Sequence, residues 1–253
     1  MRRVAITGGG SGLGRMMAER FIAEGDRVAI CDADHEAVQD FQTAHPDQIA
    51  MTADVTDEAE MAAFFDRIDR DWDGVDVVCA NAGTGGPAGR IEDMSLADWN
   101  RCVEVNLSGA FLTCRWAAGR MRAAGQGLIV LTSSTAGQFG YPLRSPYATA
   151  KWGIVGLTKT LAMELGPAGV RVNAICPGAV EGDRMDRVVA MEAAASGLTE
   201  DVVRAQYVRG VSLRTWVTAE DVADTVLWLA SPQAKRISGQ IMAIDGHTET
   251  LVP

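Results

Sequence analysis

No two of the five cysteines, Cys31, Cys79, Cys102, Cys114 and Cys176, form a C-x-x-C pair, and three of them fall in apolar runs that read as strands. That excludes a disulfide framework and describes buried thiols in a reducing compartment. Histidine is scarce: His35, His45 and His247 lie far apart, with no ligand spacing, so no metal site is expected. No apolar stretch approaches the ~20 residues a membrane span needs. Met1-Arg2-Arg3 is followed by only Val4-Ala5-Ile6 before a glycine run, too short for the apolar region of a signal peptide. Basic charge is in deficit, with 23 Lys and Arg against 33 Asp and Glu and a formal net charge of −10. Nucleic acid and anionic membranes are therefore poor partners. The expected setting is cytoplasmic.

Linkers, fixed-period repeats and low-complexity segments are also missing, so residues 1–253 read as one domain. Short apolar runs alternate with helical patterns. Strands are expected at 4–7, 28–32, 49–54, 75–80, 128–133, 170–175 and 241–244. Helices are expected at 13–24, 34–44, 57–70, 96–123, 147–165 and 219–230. Strands apolar on both faces and separated by helices indicate an α/β fold: a doubly wound, Rossmann-type, mainly parallel seven-stranded sheet with helices on both faces. One stretch breaks the rhythm. Residues 181–218 are rich in charge, Met and Ala, with helical potential near 186–195 and 199–209, and read as either a lid over a site or an oligomer contact.

The first strand runs into Thr7-Gly8-Gly9-Gly10-Ser11-Gly12-Leu13-Gly14. Between a strand and a helix, such a run cradles a dinucleotide. Gly8, Gly12 and Gly14 admit the pyrophosphate, and the helix start offers unpaired N–H groups and the positive end of its dipole. Asp32 closes the second strand, where a carboxylate accepts hydrogen bonds from the adenosine ribose and repels a 2′-phosphate. Ser11 and Ala33 bring no positive charge, so NAD is favoured over NADP. Asp54 closes the third strand and is read either as a partner for the adenine amino group or, with Asp57, as a helix cap.

Tyr147 and Lys151 stand four residues apart, one helical turn along a shared face. A phenol ordinarily loses its proton near pH ~10, and a fixed ammonium favours the phenolate. The pair therefore suits proton exchange with an alcohol or carbonyl. Ser134 lies thirteen residues upstream of Tyr147, with Ser133 a rival beside it.

Taken together, Thr7-Gly8-x-x-x-Gly12-x-Gly14, Asn81-Ala82-Gly83, Asn106, Ser134, Tyr147-x-x-x-Lys151 and Pro177-Gly178 resemble the short-chain dehydrogenase/reductase family in its compact single-domain form. The resemblance implies a catalytic set. Tyr147 is the general acid/base and Ser134 bonds the substrate oxygen. Lys151 binds the nicotinamide ribose and tunes Tyr147, while Asn106 holds a water in a proton relay. It also implies that Gly8, Ser11, Gly12, Leu13, Gly14, Asp32, Asp54, Val55, Asn81, Ala82, Gly83, Tyr147, Lys151, Pro177, Gly178 and Val180 meet the cofactor. A homo-oligomer follows, a tetramer first. Two positions depart from the pattern. Gly182 stands where a threonine often helps hold the carboxamide, and Asp245-Gly246-His247 replaces the frequent Asp-Gly-Gly.

The expected reaction is NAD(H)-dependent hydride transfer to or from a small secondary alcohol or ketone. Substrate contacts are assigned to Ser134, Arg144, Tyr147 and Arg184, the arginines gripping an anionic group. Solvated surface charge, paired with Glu181, Asp183 and Asp186, is the competing account of the insertion's arginines. Alternatives are a sugar, polyol or 3-hydroxyacyl substrate, or a non-catalytic NAD sensor. A serine hydrolase is excluded, since Ser134 lacks both a G-x-S-x-G setting and a nearby histidine.

Overall fold

The computed structural model describes residues 1–249, apart from the side chains of Asp183, Arg184, Met191, Ala195 and Ser196. Seven strands form its sheet: β1 (Arg3–Thr7), β2 (Arg27–Asp32), β3 (Ile49–Thr52), β4 (Val77–Ala80), β5 (Gly127–Thr132), β6 (Val170–Pro177) and β7 (Ile241–Ile244). Their order is β3-β2-β1-β4-β5-β6-β7, and every pair is parallel. The helices are α1 (Gly12–Ala23), α2 (His35–Ala44), α3 (Glu58–Asp71), α4 (Leu96–Val103), α5 (Gly109–Ala124), α6 (Ser145–Leu165), α7 (Asp183–Ser196), α8 (Glu200–Arg209) and α9 (Ala219–Leu229).

Alternation along each strand divides the core between the two faces. Val4 and Ile6 of β1, with Leu128 and Val130 of β5, pack with Met17 and Phe21 of α1, Phe41 of α2 and Val226 of α9. Ala5, Ile129 and Leu131 point the other way, onto Met61 and Phe64 of α3, Trp116 of α5 and Ile154 of α6. Burying side chains of this size contributes about 1.5–3 kcal/mol each. The chain winds outward from β1 to β3, then crosses back to place β4 on the other side of β1. That reversal opens a crevice at the carboxyl ends of β1 and β4, where doubly wound folds bind ligands.

Three expectations need correcting, each for a local reason. β3 stops at Thr52, so Asp54 lies in the following loop. The helical pattern over 96–123 is two helices joined by a π-helical stretch, Glu104–Ser108. And α6 begins at Ser145, with Pro146 in its first turn, so Tyr147 sits inside the helix rather than opening it.

Candidate active site

The glycine turn is held by backbone. Gly9 N donates to Cys31 O (3.1 Å) and Gly10 N to Asp32 Oδ2 (3.0 Å). A Cβ on Gly14 would lie 1.9 Å from Gly8 O, and one on Gly8 would lie 2.8 Å from Ala82 Cα. Those two glycines therefore let α1 and the loop after β4 close on the turn. Gly12 differs: its φ is +52° and nothing lies within 4 Å of where a Cβ would be. It is the position that leaves room for a ligand while demanding the left-handed conformation. Ser11 precedes α1 but gives it no side-chain cap, and the first turn carries no acid. α2, α3, α4, α8 and α9 have a capping side chain, whereas α5, α6 and α7, like α1, have none. The amide donors at the start of α1 are thus left for an anion such as a pyrophosphate. Leu13 is half-buried against the core on the α1 face.

Asn81 spends its side chain on structure. Its Nδ2 donates to Thr7 O (3.2 Å) and Gly8 O (3.1 Å), and its Oδ1 accepts from Thr132 Oγ1 (3.1 Å). Asp32 Oδ1 accepts from Asp34 N at 3.1 Å. Asp54 accepts from Thr56 N, Thr56 Oγ1 and Arg101 Nη2 at 2.9, 2.8 and 2.8 Å. Burial raises its pKa, but those bonds outweigh burial and hold it below the usual carboxylate value. The capping role falls to Asp57, which accepts from Ala59 N and Glu60 N. Val55 is buried, with its side chain packed against Gly109.

The catalytic candidates converge at the ends of β4 and β5. Lys151 is buried, its Nζ donating to Thr132 O at 3.0 Å and lying 5.6 Å from the centre of the Tyr147 ring. Ser133 is buried, and its Oγ donates to Lys151 O (2.8 Å), which fastens α6 to β5. Ser134 is only half-buried and accepts from Ala136 N (3.2 Å), leaving its hydroxyl proton to be donated elsewhere. The rivalry between the two serines resolves by burial: Ser133 is a fastener, Ser134 the accessible group. Asn106 lies in the π-helical stretch, where its Nδ2 donates to Thr84 O (3.0 Å) and Cys102 O (2.9 Å). Its Oδ1 is buried and has no partner. A Cβ on Gly83 would sit 2.8 Å from that oxygen and 3.3 Å from Lys151 Nζ. Glycine at 83 thus keeps open a small polar gap between the amide and the ammonium, the kind of place a bound water fills.

Beyond β6, Gly178 N donates to Ile244 O at 2.9 Å, and a Cβ there would lie 2.8 Å from Asp245 Cβ. Val180 bridges to Val217, fixing the strand exit. Gly182 has φ +129°, a conformation that a threonine would adopt only under strain, which accounts for the departure noted above. Arg144 is 8% exposed, with Nη2 donating to Gly85 O (2.6 Å) and its guanidinium carbon 5.7 Å from the centre of the Tyr147 ring. The side chain of Arg184 lies outside the described residues. Arg214 donates to Arg209 O and Val211 O, and Asp186 pairs with Arg204.

One cluster escaped the sequence reading. Tyr207 donates to Glu192 Oε1 (2.8 Å), lies against Trp216 (ring centres 5.7 Å apart) and brings its hydroxyl to 3.5 Å from that of Tyr141. Burial, with Tyr141 and Glu192 beside it, pushes the Tyr207 phenol far above its usual pKa, so it stays a donor. The chain has just three tyrosines: Tyr141 meets Tyr207 here, and Arg144 lies by the rings of both Tyr141 and Tyr147. Their scarcity was the available signal.

The crevice, the uncapped α1 and the Tyr147–Lys151 pair on α6 frame the comparison with known proteins. The family described as enoyl-(acyl carrier protein) reductase matches residues 8–247. The D-beta-hydroxybutyrate dehydrogenase of Rhizobium meliloti (strain 1021) is 32% identical over 254 residues, covering 97% of each chain. The chain belongs to the short-chain dehydrogenase/reductase family. Among solved structures of this family, NAD+-bound xylitol dehydrogenase superposes with a TM-score of 0.91 at 28% identity, covering 97% of this chain and 98% of its own. An actinorhodin polyketide ketoreductase variant with NADPH gives 0.92 at 30%, covering 97% and 96%. Like its relatives, the short-chain dehydrogenase/reductase described here is an oxidoreductase of secondary alcohols or ketones that uses a nicotinamide cofactor. Among the described residues no helix is long and apolar enough to cross a membrane.

Proposed function

We propose that the protein is an NAD(H)-dependent oxidoreductase of a small secondary alcohol or ketone, with Tyr147 as general acid/base. The observation that carries this reading is Lys151 locked to Thr132 O beneath the Tyr147 ring, beside the unpartnered Asn106 Oδ1. A bound nicotinamide supplies the hydride acceptor or donor. The chain supplies alignment and proton handling. Ser134 donates to the substrate oxygen and holds it toward Tyr147. In oxidation the Tyr147 phenolate takes the hydroxyl proton, and in reduction it returns one. Lys151 stabilises the phenolate and reaches the ribose of the cofactor. Asn106 Oδ1 anchors a water in the gap beside Gly83, through which Lys151 exchanges protons with solvent.

Gly8, Ser11, Gly12, Leu13 and Gly14 hold the pyrophosphate, Asp32 the adenosine ribose, and Asp54 with Val55 the adenine. Asn81, Ala82 and Gly83 flank the ribose, while Pro177, Gly178 and Val180 meet the nicotinamide. Asp32 is the argument for NAD, since its carboxylate sits against the Gly10 amide, where a 2′-phosphate would face like charge. An anionic substrate suits Arg144, and one relative is named for hydroxybutyrate. A neutral polyol is the second reading, favoured by the likeness to a xylitol dehydrogenase. The exposed apolar side chains Phe111 on α5 and Trp152 and Met163 on α6 support a homotetramer, which light scattering of the purified protein would test.

The deciding experiment is an absorbance screen at the NADH band over hydroxy acids, sulfonates, polyols and sugars, repeated with NADP. Turnover with NAD is expected. A clear preference for NADP would overturn the Asp32 argument, and cofactor binding with no turnover of any alcohol would favour a sensor.

A further inference from the structure

We infer that Arg144 is the receptor for an oxyanion group carried by the substrate, so that the enzyme takes small hydroxy acids or their keto forms. The inference rests on the oxidoreductase reading above and names the substrate class of the same site.

Several arginines elsewhere among the described residues are satisfied in one of two ways. At the surface they pair with acids: Arg3 with Asp76, Arg67 with Asp71, Arg101 with Asp54 and Arg120 with Asp69. Arg171, half-buried without an acid, fills its fork with main-chain carbonyls instead. It donates to Leu229 O (2.8 Å), Ala234 O (3.1 Å) and Ile237 O (3.3 Å), tying α9 and the chain before β7 to β6. That is how a structural arginine looks here.

Arg144 follows neither pattern. It is buried to 8% exposure, has no ion pair among the described residues, and its side chain makes one hydrogen bond, to Gly85 O. Its Nε is buried with no partner. A guanidinium carries five N–H donors, and holding such a charge out of water without a counter-charge is costly. The cation is retained at a telling place, with its guanidinium carbon 5.6 Å from the Tyr141 ring centre and 5.7 Å from that of Tyr147. A carboxylate brought in on the substrate would be met by a planar fork that is already desolvated and held by two aromatic rings and a carbonyl. The rest of the protein works against anions, since its net charge is −10. Selection of an anion must therefore come from a local cation, and Arg144 stands beside the group assigned the proton transfer.

The test compares wild type, Arg144→Gln and Arg144→Lys on 2-, 3- and 4-hydroxycarboxylates, their methyl esters, and the matching hydroxysulfonates and phosphate monoesters. Thermal melting first confirms that each variant folds. Wild type should prefer one class of acid to its neutral counterpart in kcat/KM. Arg144→Gln should collapse that preference by about tenfold to a hundredfold, the worth of a charge-assisted hydrogen bond. Arg144→Lys should restore part of it, because lysine keeps the charge and loses the fork. A strut that merely ties Gly85 to α6 would lower acids and esters together, and an unchanged ratio overturns the inference. Binding gives a readout that needs no turnover: butyrate should raise the melting temperature of wild type more than butyramide does, and Arg144→Gln should abolish the difference. Equal shifts from butyrate and butyramide in wild type would also overturn it, whereas a butyrate shift without turnover of any alcohol would leave the receptor standing and sink the oxidoreductase reading instead.

Discussion

The crevice around β1 and β4 is shaped by backbone, whereas the region from α7 to β7 is shaped by side chains. In the first, a Cβ on Gly14 would strike Gly8 O, Asn81 is spent on main-chain carbonyls, and Asp32 is tied to the Gly10 amide. In the second, Tyr207, Glu192 and Trp216 meet through rings and a hydroxyl, and Tyr207 reaches back to Tyr141 before α6. Backbone constraints admit few residue types at each position. Side-chain constraints admit many, because another ring or another acid fills the same space. The first region therefore tolerates few replacements, and the second tolerates many.

The seam between the two regions gives the largest expected effect. Tyr147→Phe should reduce kcat by about 10²–10⁴-fold, the usual worth of positioned proton transfer. Cofactor affinity, read from quenching of NADH fluorescence, should change little. A folded variant with wild-type turnover would sink the assignment.

Gly14→Ala is next and tests the backbone side directly. The added methyl would meet Gly8 O at 1.9 Å and Asn81 Nδ2 at 2.7 Å, so the turn must shift. A stability loss of about 1–3 kcal/mol in urea titration, with weakened NADH binding, is expected. Gly119 on α5 has nothing within 4 Å of where a Cβ would be, and Gly119→Ala is the control that should leave NADH binding unchanged and raise stability by about 0.5–1 kcal/mol, the helix preference for alanine over glycine.

Asp32→Asn sharpens the comparison further by removing charge and keeping shape. The ratio of NAD to NADP efficiency should fall by about tenfold or more, one charge-assisted hydrogen bond. Tyr207→Phe makes the opposite probe. It removes the bond to Glu192 and should raise KM for the substrate by a few-fold, about 0.5–1.5 kcal/mol. NADH affinity should stay where it was. A variant that lost cofactor instead would break the division between the two regions.

The same division governs what was legible in the sequence. The glycine turn, the alternation of strands and helices and the Tyr147–Lys151 turn could all be read, because each depends on a periodicity or on a residue type with few substitutes. Asp54 was placed at the end of β3 because the apolar run continues to Ala53, yet pairing stops at Thr52 and Asp54 instead binds Arg101. The π-helical stretch at Glu104–Ser108 was not visible, since an inserted residue leaves the apolar pattern of α4 and α5 almost intact. Arg144 was read, with Arg184, as a grip for an anion, but its burial, its bond to Gly85 O and its unpartnered Nε come from the fold and could not be read.

The smallest effect concerns the amino end of the central strands, opposite the crevice, where Arg3 of β1 binds Asp76 just before β4. Arg3 donates from N, Nε and Nη2 to the two carboxylate oxygens at 2.8–2.9 Å. The hydrogen bonds from Arg3 hold the Asp76 carboxyl below its usual value, against the opposing effect of burial. A depressed folded value means that the pair stabilises the protein above the unfolded carboxyl value near ~3.9. That stability is lost as pH falls through the lowered folded value. Asp76→Asn should therefore cost about 0.2–1 kcal/mol at neutral pH, as a partly exposed pair does. Its melting temperature should converge with that of wild type in strong acid, where Asp76 is protonated in both states. Turnover at neutral pH should be preserved, because the pair braces β1 and β4 from the end opposite the ligand. A gap in melting temperature that stays constant down to pH 2 would mean that packing, rather than charge, holds this end of the sheet.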